Sequence, residues 1–178
     1  MSTTTIRLSP AERDQARGEL LRYLEWRANG MGRPGGTPAG FVYRNDEAFV
    51  FKHGRFYRSQ PLPAGYARMP RGRCFHNAME TVAMSAGLLT YVEGWSIGIA
   101  PVHHAFAIDA EGSVVDQTWD QPEACIHHGV AFRRDYLLTH LKAGGMRSIL
   151  YDYEQGYPIL RDGFDVASAV EFGTWGEP

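Results

Sequence analysis

The sequence predicts an α+β domain in which helices pack on a mainly antiparallel sheet. Helix signatures appear at residues 10–29, 74–87 and 132–145. Between the last two, stretches rich in β-branched and aromatic residues predict successive strands, and two of these stretches are separated only by a short turn. Strands joined by a tight turn pair antiparallel, which indicates the kind of sheet.

Length and composition bound the class of protein. A chain of 178 residues is long enough for one domain with a proper core, so we expect a single domain over 1–178. Apolar residues make up 44% and charged residues 21%, as in ordinary globular proteins. The net charge of −2 argues against a nucleic-acid partner. The sequence contains no apolar run of roughly 18 residues and does not begin like a signal peptide, so we expect a cytoplasmic protein without a membrane partner.

Local signals place the outer elements. Ser9 as N-cap, Pro10 at the first position and Glu12 completing a capping box predict the N-terminal helix, which Gly30 ends. Residues 30–40 are rich in glycine and proline and predict a loop. Further predictions are strands over 41–44, 47–59 and 148–160, and a surface loop around the histidines that precede "GVAF".

Cys74 stands where the middle helix is predicted to begin, in "RGRCFHNA". Free backbone N–H groups and the helix macrodipole favour negative charge in a first turn, and Arg71 and Arg73 act in the same direction. A thiol at this position is suited to nucleophilic chemistry. Cysteines of a reduced compartment are expected to be free, and Cys125, with no base beside it in the sequence, is interpreted as structural or exposed.

A histidine and an aspartate complete a candidate triad with Cys74. If residues 110–112 form a three-residue loop with Gly112 in the left-handed conformation, Asp109 pairs with Ser113 and Phe106 lies opposite Asp116. His104 and Asp116 are then diagonal neighbours on one face of the sheet, which suits a hydrogen bond between them. A two-residue loop would place Asp116 on the other face, so this prediction depends on the register.

These residues resemble the transglutaminase-like branch of the papain-like cysteine enzymes over about residues 70–120. In that family a cysteine begins a helix packed on a sheet, as in "RCFHNA", a histidine lies in a strand-borne His-Ala-aromatic motif, as in "HAF", and an aspartate follows on the next strand, as in "DQTW". Gln117 replaces the proline that usually follows the aspartate. The resemblance implies acyl transfer or amide hydrolysis through a thioester, on a peptide, amide or small-molecule acyl substrate, with Cys74 as nucleophile, His104 as proton shuttle and Asp116 as the group that orients it.

The oxyanion formed in such a reaction needs hydrogen-bond donors. The backbone N–H of Cys74 is the first candidate, and the side chains of Gln60, Asn77 and Trp95 are weaker ones. Gln60 is suggested by analogy with the upstream glutamine of papain-like enzymes, and its alternative is a turn residue before proline. Trp119 would shield the histidine and aspartate from water.

Other classes of function stay open at this point. Cys74 is an ordinary packing residue if the domain is a binding module without catalysis. Clusters of cysteine and histidine are compatible with a structural zinc protein, but their spacing does not match known zinc motifs, and no acidic cluster has calcium-loop spacing. We therefore predict no metal and no cofactor. His103 is expected to point away from His104, because side chains alternate along a strand.

Overall fold

The computed structural model describes residues 8–30 and 37–165. Most of the predicted loop over 30–40 and the last thirteen residues lie outside this part of the chain. The described residues form five helices: α1 (Pro10–Ala28), α2 (Asp46–His53), α3 (Cys74–Met84), α4 (Arg134–Gly144) and α5 (Pro158–Asp162). They form five strands: β1 (Arg55–Tyr57), β2 (Thr90–Ile97), β3 (Pro101–Ile108), β4 (Val114–Val115) and β5 (Ile126–Phe132).

The strands make one sheet in the order β1-β5-β2-β3-β4, with every neighbouring pair antiparallel. The chain just after β1 also contacts the start of β4, so that the two edges of the sheet meet. Arg58 donates its backbone N–H to the carbonyl of Gly112, and Val114 donates its own to the carbonyl of Arg58. The sheet therefore curls round, and the predicted α+β class with a mainly antiparallel sheet is confirmed.

The curled sheet has a different apolar cluster on each face. The large cluster lies on the helix side, where Ala78, Met79 and Val82 of α3 pack with Tyr91 and Ala105 of the sheet. The smaller cluster lies inside the curl and consists of Tyr57, Val92, Phe106, Ile108, Val114 and Ala131. Burial on both faces explains why β2 and β5 are almost entirely buried.

Several predicted elements are confirmed. Ser9 accepts the backbone N–H of Glu12 and the Glu12 side chain accepts from Ser9, so the predicted capping box begins α1. The middle helix begins at Cys74, and the chain leaves it through two residues with positive φ, Ala86 and Gly87. Helix α4 (Arg134–Gly144) lies within the range of 132–145 that the sequence predicts.

Three predicted strands and one predicted loop differ from the structure, although β1 (Arg55–Tyr57) does lie within the predicted strand over 47–59. Residues 46–53 form helix α2 because Asn45 caps it through the N–H of Ala48, with acidic residues in the first turn. Residues 41–44 and 148–157 contain no strand, and residues 158–162 form α5. The predicted surface loop with His127 and His128 is β5, a strand paired on both sides.

None of the helices in the described ranges combines the length and apolarity that a membrane crossing requires. Both cysteines are free, as expected.

Candidate active site

The thiol of Cys74 lies at the first residue of α3, against the edge of β3. The ring of His104 and the backbone N–H groups of Ala105 and Phe75 lie close enough to its sulfur to lower the pKa of the thiol. Arg73 caps the helix without a side-chain hydrogen bond, so no capping side chain competes for the free N–H groups of the first turn. The side chain is partly buried, and one part of it stays accessible.

The β3–β4 hairpin has the register that the sequence predicts. Ala107 pairs with Val115, Asp109 donates its N–H to the carbonyl of Ser113, and Gly112 has a φ of 73°. In this register Asp116 follows directly after β4 and faces the same side as His104. Nε2 of His104 and Oδ2 of Asp116 are 2.8 Å apart, with both side chains 1% exposed. Because Asp116 occupies Nε2, the nitrogen that faces Cys74 is Nδ1.

Strand β4 is two residues long, which leaves the edge of β3 free beyond the hairpin. In an antiparallel ladder, alternate residues direct their N–H groups to the same neighbour, and Asp109 already bonds toward β4. Ala105 therefore turns its N–H to the free edge, where it reaches the sulfur of Cys74. The short strand thus brings together the three residues that the sequence singled out.

The electrostatics of this group favour a thiolate–imidazolium pair. Burial lowers the pKa of His104, but the hydrogen bonds to Asp116 and to Cys74 outweigh burial and raise the pKa to about 9. For Cys74, burial raises the pKa, and the hydrogen bond and charge of His104 outweigh it, so the pKa lies below the ordinary thiol value. The pKa of Asp116 is lowered: its burial acts in the opposite direction but is overcome by the hydrogen bond to His104 and by the neighbouring ring of His127. The buried carboxylate is therefore ionised at neutral pH.

The loop that carries Asp116 is held rigidly. Oδ1 of Asp116 accepts the backbone N–H of Thr118 at 2.8 Å, and the guanidinium of Arg68 donates to the carbonyls of Asp116 and Asp120 at 3.0 and 2.6 Å. The amide of Asn77 bridges from α3 to this loop, since Nδ2 donates to Oγ1 of Thr118 and to the carbonyl of Pro70, both at 2.9 Å. These contacts fix the carboxylate before any substrate binds.

A cleft of about 310 Å³ opens between the segment before Cys74 and the loop after Asp116. Its lining residues are Arg71, Gly72, Thr118, Trp119 and Asp120. The ring of Trp119 stacks on that of His104, with centroids 4.5 Å apart and planes at 27°. The cleft therefore leads from solvent to the indole that covers the histidine.

The remaining predicted residues lie around this centre in other roles. Gln60 donates Nε2 to the carbonyl of Val114 at 3.2 Å, on the far edge of β4. Both amide donors of Asn77 are used by the protein, as described above. Trp95 is buried and stacks on His103 across the β2–β3 pair, and its Nε1 has no hydrogen-bond partner in the described part of the chain.

Sequence reasoning missed His127, the third ring of the site. It is fully buried on β5, on the same face as His104, with its Nε2 3.6 Å from Oδ2 of Asp116. Its Nδ1 is 2.9 Å from Oγ of Ser59. The paired histidines of "CIHH" favour a surface loop, whereas the continuous apolar run that follows them is typical of a buried strand.

A second buried ionic cluster lies on the opposite face, where His103 points, as expected. Nε2 of His103 is 3.1 Å from Oε1 of Glu93, and Nδ1 is 3.7 Å from Oδ2 of Asp46. Glu93 also accepts the backbone N–H groups of Ile149 and Leu150. This cluster anchors the segment after α4 to the sheet.

Comparisons with known proteins do not identify the chain further: no family model, no curated protein and no solved structure matches it.

Proposed function

We propose that the protein is a cysteine-dependent acyltransferase or amide hydrolase with a Cys74–His104–Asp116 triad, on a core of the papain and transglutaminase type. The observation that carries this proposal is that His104, hydrogen-bonded to Asp116 at 2.8 Å, also lies beside the thiol at the first residue of a helix and lowers the pKa of that thiol. Such an arrangement supplies a nucleophile, a base and an orienting group. The resemblance over about residues 70–120 supports the same chemistry.

The reaction begins with the thiolate of Cys74 attacking the carbonyl carbon of an amide or ester, which forms a C–S bond and an oxyanion. Nδ1–H of His104 then protonates the leaving nitrogen or oxygen as its bond to carbon breaks, leaving a thioester and a neutral ring. Water or an amine, deprotonated by that ring, attacks the thioester and returns the thiolate. Asp116 stays ionised and holds Nε2–H throughout.

Stabilisation of the oxyanion falls to the first turn of α3, where the backbone N–H of Cys74 is the principal donor. We keep the side chain of Trp95 as a second candidate because its buried Nε1–H has no partner among the described residues. Gln60 and Asn77 are weaker candidates, since both donate their amide protons to the protein. The cleft beside Trp119 is the proposed entry for a peptide or small acyl group.

Selective alkylation tests the proposal. Iodoacetamide at pH 6, in the presence of a chelator, is expected to label Cys74 while Cys125 stays unlabelled, because burial raises the pKa of Cys125 to about 12. The variant His104→Ala should lose this labelling, and His76→Ala, which changes an exposed histidine of the same helix, should keep it. Peptide mass spectrometry reads the modified residue.

Acyl-enzyme formation is the second measurement. A library of activated esters and amides, followed by intact-mass analysis, should give an adduct on Cys74 that is lost with time in buffer and faster once an amine is added. Labelling of Cys74 no faster than that of Cys125 in wild-type protein would favour a non-catalytic binding module on the same fold.

A further inference from the structure

His127 lies next to Asp116 in the buried site, and the hydrogen bonds of the histidine determine which of its ring nitrogens carries the proton. Oγ of Ser59 lies 2.6 Å from the carbonyl oxygen of Cys125 and 2.9 Å from Nδ1 of His127. A carbonyl only accepts, so the single hydroxyl proton of Ser59 goes to Cys125. Ser59 must then accept from His127, which places the proton of the neutral ring on Nδ1.

Nε2 of His127 is consequently unprotonated, and its lone pair faces a carboxylate oxygen of Asp116. The distance of 3.6 Å from Oδ2 of Asp116 exceeds hydrogen-bond range, and Nε2 has no hydrogen-bond partner among the described residues. His127 and Asp116 are 0% and 1% exposed. Two buried acceptors that face each other are unfavourable unless a proton or a metal ion lies between them, and burial lowers the pKa of His127, which disfavours the proton.

We propose that Nε2 of His127, Oδ2 of Asp116 and Nε2 of His104 bind a zinc-class transition-metal ion. These three atoms lie within 4.8 Å of one another. Tetrahedral zinc with bonds of about 2.0–2.1 Å requires ligand atoms roughly 3.3–3.5 Å apart. The separation of His127 from Asp116 fits this requirement, and the 2.8 Å between His104 and Asp116 must open by about half an ångström.

The surroundings of the three residues resemble the outer shell of a metal site. Metal-binding histidines usually donate their second ring N–H to a fixed acceptor, and ligating carboxylates are themselves hydrogen-bonded. Nδ1–H of His127 donates to Ser59, and Oδ1 of Asp116 accepts from the N–H of Thr118. Two nitrogens and one oxygen favour zinc and its neighbours over magnesium and calcium, which prefer oxygen ligands.

Binding exchanges one proton for the metal. His104 gives up the proton on Nε2 and keeps the one on Nδ1, which still faces the sulfur of Cys74. The carboxylate of Asp116 then holds the metal instead of orienting His104. The metal site and the triad of the proposed function thus share two residues and exclude each other, whereas metal binding itself does not need the thiol.

Metal titration of the full-length protein tests the inference, with Zn²⁺ followed by calorimetry and Co²⁺ by visible absorption. We expect one equivalent bound in wild-type protein and in Cys74→Ala, with no thiolate-to-cobalt charge-transfer band. The variant His127→Gln should bind at least about 100-fold more weakly, because it loses a ligand and not only an outer contact. The matched control His76→Gln, which alters an exposed His–Glu pair, should bind like wild type.

If His127→Gln fails to fold, wild-type protein alone can still distinguish a metal bound at the proposed site from a metal bound by the thiol. At alkaline pH, where the thiol ionises without help from His104, Cys74 of zinc-loaded protein should remain open to alkylation by iodoacetamide. A charge-transfer band, complete protection of Cys74 by zinc at that pH or loss of binding in Cys74→Ala would overturn the inference, because each places the metal on the thiol. Absence of stoichiometric binding would overturn it too, and would leave the triad untouched, since alkylation in chelator tests the triad separately.

Discussion

Replacing Asp116 with asparagine is a direct test of the candidate triad, because it removes one charge and keeps the size of the side chain. In the wild-type protein the pKa of His104 is about 9, since hydrogen bonds to Asp116 and Cys74 overcome the opposing effect of burial. Relative to the ordinary value of 6.5, this corresponds to roughly 3 kcal/mol in favour of the charged ring. Asp116 makes the largest favourable contribution, so its loss should lower the pKa of His104 by at least about one unit.

The thiolate depends on that charged ring. In Asp116→Asn the ring loses its proton at lower pH, and the pKa of Cys74 rises because its imidazolium partner is less populated. The rate of alkylation follows the thiolate fraction, so at pH 6 it should fall at least about tenfold, and the inflection of the rate–pH profile should move to higher pH.

The assay is the rate of iodoacetamide labelling of Cys74 between pH 5 and about 9, in chelator, quantified by intact mass. Asp120→Asn is the matched control, because it neutralises an exposed carboxylate in the same loop that lies on the cleft and not on His104. Thermal unfolding of both variants checks that the fold is kept. Equal rate–pH profiles for wild type and Asp116→Asn would refute the reasoning, because the carboxylate would then not stabilise the His104 imidazolium.

Three further predictions concern the scaffold. Glu93→Ala should lower the free energy of unfolding by about 3–5 kcal/mol, measured in urea, because it leaves a buried cation and several donors without their partner. Burial raises the pKa of Glu93, but its hydrogen bonds lower the pKa by more, so that the folded-state value lies below 4.5. The difference in unfolding free energy between wild type and Glu93→Ala should therefore shrink as the pH falls below 4.5. Gly129→Ala should cost about 1–3 kcal/mol, since its Cβ would lie 2.7 Å from a backbone oxygen, whereas Gly18→Ala in α1 should be neutral or stabilising by up to about 1 kcal/mol. Asn77→Ala should lower the free energy of unfolding by about 1–3 kcal/mol, measured by calorimetry, because it removes the hydrogen bonds from α3 to the two segments that flank the site. An unchanged free energy of unfolding would contradict that role.

The part of the fold that the sequence predicts well depends on local signals. The capping box at Ser9 and the thiol at the start of α3 are statements about adjacent residues, and the structure places both helices there. The hairpin register follows from one glycine, since Gly112 in the left-handed conformation fixes which residues face each other. Local chemistry was therefore enough to bring His104 and Asp116 together.

The predictions that are wrong concern elements whose structure depends on contacts between distant segments. Residues 46–53 are rich in aromatic and β-branched side chains, but Phe49 and Val50 are buried as one face of a helix, and the cap at Asn45 decides the outcome. Strand β5 does not alternate in polarity because it is covered on both faces, so His127 and His128 looked like loop residues. Nothing in the sequence near His127 indicates that Ser59 is its partner 68 residues earlier.

The shortness of β4 explains why a site forms at this edge of the sheet at all. Had the strand continued past Val115, Asp116 would pair with Phe106 and the next residues would cover the N–H of Ala105. Instead Oδ1 of Asp116 takes the backbone N–H of Thr118, which turns the chain away from β3. One side chain thus ends the strand with one oxygen and orients His104 with the other, and the freed edge receives the sulfur of Cys74. The run "VDQT" therefore encodes the termination of a strand and the placement of a carboxylate in the same residue.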